Sequence, residues 1–150
     1  MEDIKMEMTF SRKFLNVAGI LEYIFGALSL ILAVVIAGAG IYVIQKPNLA
    51  LALPRDFGDY TLLIVGIALI ASSVFSIVYG HLERAAAKDP AKIMPVWVLS
   101  LLSVVLEAIG IVLSLSQGAA ITALATHFFG LAIGILVLAA ANNIRKETGR

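Results

Sequence analysis

Two residues dominate the chemistry open to this 150-residue chain, Glu107 and His127. Each lies within a long apolar run, an acid in one run and a base in the next, with Ser116-Gln117-Gly118-Ala119 as the turn between them. Glu107 precedes that turn by about ten residues and His127 follows it by about ten. At ~1.5 Å rise per residue both sit roughly 15 Å from the turn, near the middle of a ~30 Å hydrocarbon core. An acid and a base at matched depth on antiparallel neighbours can pair. A lone charge there costs about 2.5–3.5 kcal/mol on insertion scales, so pairing is the expectation. Such a pair serves as a structural clasp, as a proton relay or cation site, or as a contact to a partner subunit. The clasp is favoured. Glu22, in the first apolar run, is an additional candidate ionisable site.

Other chemistry is absent from the sequence. There is no nucleophile elbow, phosphate loop, His-x-x-x-His pair or dinucleotide fingerprint. The chain has no cysteine, which excludes disulfides, thiolate metal sites and cysteine catalysis. No catalytic residue, metal site or cofactor is therefore expected, and the chain is read as non-enzymatic. Net charge is only +1, so no basic field suggests a nucleic-acid partner.

The elements that must position Glu107 and His127 follow from composition. Hydrophobic residues make up 61% of the chain and charged residues 14%, more apolar side chain than a soluble domain of this length can bury. Mean hydropathy is +1.00. Four runs are long enough to cross a bilayer, at about 15–44, 61–80, 95–115 and 119–142. Only helices and closed barrels satisfy their backbone in lipid, and runs without alternation are helices. The fold class expected is an all-α integral membrane protein, a single left-handed four-helix transmembrane bundle. The N-terminus, mixed in charge and leading into too long an apolar run, is read as retained rather than as a signal peptide. The first run is longer than a bilayer needs, so it must tilt, project, or break near Gly38–Gly40.

Lys and Arg set the orientation. Lys5, Arg12, Lys13, Arg84, Lys88, Lys92, Arg145, Lys146 and Arg150 fall on one side of this topology, and Lys46 and Arg55 on the other. By the positive-inside rule both termini are cytoplasmic, in a multi-pass protein of the cell membrane. Tyr79 and Trp97 would then mark the inner interface, and Tyr42 and Tyr60 the outer. Reporter fusions at Glu7, near Lys88 and at Gly149 are expected to read cytoplasmic, and one in the Pro47–Asp59 connection external. An external C-terminus would overturn the charge argument.

Small and polar residues recur at heptad spacing and mark the faces on which the helices should pack. The seam residues are Gly19, Gly26, Ser29, Ala33 and Gly40 on the first span, with Gly66, Ser73, Ser76 and Gly80 on the second. On the third they are Ser100, Ser103, Gly110, Ser114 and Gln117, and on the fourth Ala123, Gly130, Gly134 and Ala141. Glu22, Glu107 and His127 lie on the same seams, facing protein.

In plan the chain resembles the small multidrug-resistance exporters, four spans with a glutamate in the first, matched here by Glu22. It is longer, and Glu107 and His127 do not belong to that pattern. It is also similar to claudin-type four-span proteins, with both ends inside and a longer first outer loop, but lacks that loop's cysteines and tryptophan. Neither resemblance goes beyond topology, so neither assigns a functional residue. The expected role is that of a structural or accessory subunit in the bilayer, associating with itself or with another membrane protein. The alternative is a proton- or cation-coupled transporter using Glu107, His127 and Glu22.

Overall fold

Backbone amides and carbonyls have no water to bond in hydrocarbon, so each apolar run closes its own hydrogen bonds as a helix. The computed structural model describes residues 8–45, 60–118 and 121–149. It is all-α there: α1 (Phe10–Gln45), α2 (Thr61–Lys88), α3 (Ile93–Ser116) and α4 (Ile121–Glu147), with a 3₁₀ turn at Pro90–Lys92. All four helices are long and apolar enough to cross a membrane, consistent with a multi-pass membrane protein. The Pro47–Asp59 connection, Lys5, Lys46, Arg55, Arg150 and Ala119 of the hairpin turn lie outside the described residues, as does the side chain of Ala123.

Local sequence accounts for the breaks. Asp89-Pro90 stops α2 at Lys88: the Asp89 carboxylate accepts from the Ala91 amide at 3.1 Å and caps the 3₁₀ turn, with Pro90 at its start. The α3 helix ends at Ser116, and Gly118 takes a left-handed φ of 64°, a conformation glycine adopts without penalty. The long first run resolves without a break. The α1 helix continues through Gly38 and Gly40 for 36 residues, roughly 54 Å, because a break in lipid would strand backbone groups.

The chain divides into two compact units, each considered by itself. The unit Ile20–His81 is the α1–α2 hairpin. Its register is fixed by small residues in near-backbone contact. A Cβ placed on Gly66 would lie 2.5 Å from the Ala37 amide nitrogen, and one on Gly40 would lie 2.5 Å from that of Leu63. One on Gly26 would meet Ile77 at 2.9 Å. Gly26, Ala33 and Gly40 on α1, and Gly66, Ser73 and Gly80 on α2, are the buried members of this seam. The Ser73 hydroxyl donates to the Leu69 carbonyl at 2.7 Å, which satisfies it within its own helix. Ser29 is exposed and Ser76 half-buried, so Ser29 is a correction to the seam, although its spacing fits.

The other unit, Met1–Gly19 with Leu82–Arg150, holds α3, α4 and the adjoining ends of α1 and α2. Those four ends are tied by polar contacts. The Arg12 side chain donates from Nε to the Ala87 carbonyl and from Nη2 to the Lys88 carbonyl, each at 2.8 Å. A guanidinium thereby caps the last carbonyls of α2, where the helix dipole favours a cation. The Asn143 side chain donates to the Ser11 hydroxyl at 3.4 Å, and the Arg145 guanidinium lies 4.4 Å over the Trp97 ring. Leu15, Ile93, Val96, Ile144 and Glu83 are fully buried in this unit.

Candidate functional site

The α3–α4 hairpin carries the site. At heptad-related positions, Ser103, Glu107, Gly110 and Ser114 line one face of α3, and His127, Gly130 and Gly134 one face of α4, all half-buried or buried. Gln117, by contrast, is exposed at the C-cap of α3 and is a correction to the seam. The turn at Gln117-Gly118 fixes the register so that the two faces meet. His127 Nδ1 and Glu107 Oε2 share a hydrogen bond of 2.8 Å. The bond stands whether the ring donates from Nδ1 to a carboxylate or a protonated carboxyl donates to Nδ1.

Each partner sits in a niche that glycine opens. A Cβ on Gly110 would lie 2.7 Å from His127 Cε1, and one on Gly130 would lie 2.6 Å from Glu107 Oε1. Glu107 with Gly110, and His127 with Gly130, have the same spacing of three residues, so the arrangement is reciprocal: each helix offers an ionisable group and the hollow for the other's. On the same line, a Cβ on Gly134 would meet Val104 at 3.1 Å and the Ser103 hydroxyl at 3.8 Å. Gly110, Gly130, Gly134 and Ser103 thus form a continuous line of close approach along the hairpin.

The pair is not sealed within the chain. The side chains of His127 and Glu107 keep 35% and 30% of their surface exposed, and the bond uses one ring nitrogen and one carboxylate oxygen, leaving Nε2 and Oε1. Around it the outward surfaces of α3 and α4 are apolar, with Leu106, Ile109, Val112, Phe128 and Phe129 all about half exposed or more.

Glu22 belongs to the unit Ile20–His81 and the pair to the other. Glu22 is half-buried on α1, one turn before Gly26, whose built Cβ would meet Ile77 of α2. Among the described residues, no group of three or more His, Asp or Glu side chains is arranged to hold a metal.

One ionisable residue of consequence falls outside the sequence reading: Glu83, fully buried at the end of α2. The signal was present, because Glu83 follows Ser76 by seven residues and Gly80 by three. The α2 seam continues past Gly80 through Glu83 to Ala87, both buried. Comparison with protein-family models, curated proteins and solved structures finds no match to this chain.

Proposed function

We propose that this chain is a small, non-enzymatic membrane subunit that works by helix association, with Glu107 and His127 as the clasp of its α3–α4 hairpin. The reciprocal fit of each ionisable group over the other helix's glycine carries this reading. It is the geometry of a register lock, in which shape and hydrogen bond select the same alignment. Lipid offers no hydrophobic drive for helix pairing, so such close packing with an interhelical bond supplies what holds the hairpin. The uncovered third of the pair is the part a second copy or another membrane protein would cover, since an exposed polar group in hydrocarbon is unfavourable. The setting is the cell membrane, with both termini cytoplasmic.

The same exposure supports a second reading. Water reaching Oε1 and Nε2 would let the pair take up and release protons, as a proton-coupled transporter requires. Two measurements on purified wild-type protein in liposomes separate these. Under an imposed pH gradient the subunit reading expects no proton flux above that of empty liposomes. A single cysteine at Val112, 65% exposed in a chain that otherwise has none, is expected to form an intermolecular disulfide under mild oxidation if copies associate through α3. Proton flux abolished by Glu107→Gln would replace the subunit with the transporter.

A further inference from the structure

Beside the clasp, the unit that contains it has a groove of about 220 Å³ between the start of α1 and the last third of α4. Phe10 and Phe14 form one wall, and Leu136 and Ala139 the other. Ser11 and Asn143, joined by their hydrogen bond, close one end. On α4 the lining positions follow the spacing of one helix face, so the groove runs along the helix for roughly 10 Å from Asn143 to Leu136. It is therefore amphipathic along its length: polar at the helix ends, apolar toward the middle of the spans.

The charges at its polar end are equally ordered. Arg12 is committed to the α2 carbonyls and Arg145 to the Trp97 ring. Lys146, three residues beyond Asn143 and on the same face of α4, is exposed, as is Lys13 near the start of α1. Among the described residues no acidic side chain lines the groove, and the nearest carboxylate on that face of α4 is the exposed Glu147, four residues beyond Asn143. An apolar slot along the bilayer normal, with hydrogen-bonding groups and two lysines against one carboxylate at its mouth, matches one class of molecule, a lipid with an anionic headgroup. We propose that this groove binds an anionic glycerophospholipid. Part of one acyl chain lies between Phe14 and Ala139, and the phosphate sits at Ser11 and Asn143 within reach of Lys146 and Lys13. The site is independent of the clasp reading and of its failure.

The test is native mass spectrometry of the full-length chain released from detergent with phosphatidylglycerol and phosphatidylcholine of identical chains in equal amounts. Wild type is expected to retain phosphatidylglycerol preferentially, by about fivefold for each lysine engaged. Lys146→Gln should reduce that preference about fivefold while leaving thermal stability in lipid-free detergent unchanged. Ala139→Leu fills the groove and should abolish retention of both lipids. A photoactivatable phosphatidylglycerol should label peptides containing Phe14 and Ala139. Should Ala139→Leu fail to fold, Lys146→Gln, on the exposed surface, and the labelling pattern carry the test. Equal retention of the two lipids, or a preference that survives Lys146→Gln and Ala139→Leu alike, overturns the proposal. So does stabilisation by inorganic phosphate equal to that by phosphatidylglycerol, which would mean a headgroup site with no chain. A dimer that Ala139→Leu converts to monomer without effect on lipid retention would assign the groove to a second copy and equally overturn it.

Discussion

Gly66→Ala is expected to destabilise the α1–α2 hairpin by about 3 kcal/mol or more, a large effect for one added methyl. The methyl would lie 2.5 Å from the Ala37 amide nitrogen, 2.6 Å from its Cα and 2.7 Å from its Cβ. None of these atoms is the end of a flexible side chain, so relief requires the two helices to move apart. Separation then forfeits the close contacts at Gly40 with Leu63 and at Gly26 with Ile77, which share the same register. In lipid those dispersion contacts are the main force holding the pair, with no solvent-driven term to replace them. Gly38 provides the control. It lies in the same helix with nothing within 4 Å of its built Cβ, so Gly38→Ala should be neutral or stabilising by up to about 1 kcal/mol through helix propensity alone. Thermal or denaturant unfolding in detergent measures both. Equal effects at Gly66 and Gly38 would mean that close approach is not what holds this hairpin.

The contrast between Gly38 and Gly40 shows where sequence reasoning stops. Hydropathy places four spans because transfer energy sums over about twenty residues and needs no knowledge of neighbours. Asp89-Pro90 and Gly118 are legible as stops for local steric reasons. Which glycine is jammed depends on the rotation of α1 against α2, and two positions on one helix differ by about 200° around its axis. The heptad stripe narrowed that choice at Gly26, Gly40, Gly66 and Ser73, yet it also named Ser29, which is exposed. A stripe inferred from small residues has no means of knowing where the partner helix ends or tilts away. Arg12 was legible only as a boundary charge, and its capping of the α2 carbonyls is a contact across some 75 residues of chain. Glu83 was missed for a different reason: a charged residue near a span end reads as solvated, although the seam spacing pointed inward.

Glu107 and His127 were legible because depth along two helices joined by a short turn is nearly one-dimensional, and that makes the pair the sharpest test of the clasp. His127→Gln and Glu107→Gln are each expected to destabilise the chain by about 2 kcal/mol in detergent, since each replaces an ionisable partner shaped to its niche by a neutral amide of different shape and weaker hydrogen bonding. The double variant should cost about 1 kcal/mol less than the sum, in keeping with interhelical bonds in membranes and with a pair still one-third exposed. The glycines supply a second axis. Gly110→Ala drives a methyl against the imidazole at 2.7–2.8 Å, a stiff planar ring with two torsions, whereas Gly130→Ala meets the end of the flexible Glu107 side chain at 2.6 Å. Gly110→Ala should therefore destabilise the wild type more than Gly130→Ala does. If the niche exists to seat the ring, its cost should fall when His127 is already alanine, because the space opposite is then open. Additive losses for Glu107→Gln with His127→Gln would refute the clasp as an energetic unit. A Gly110→Ala cost unchanged by His127→Ala would show that the niche serves backbone packing and not the imidazole.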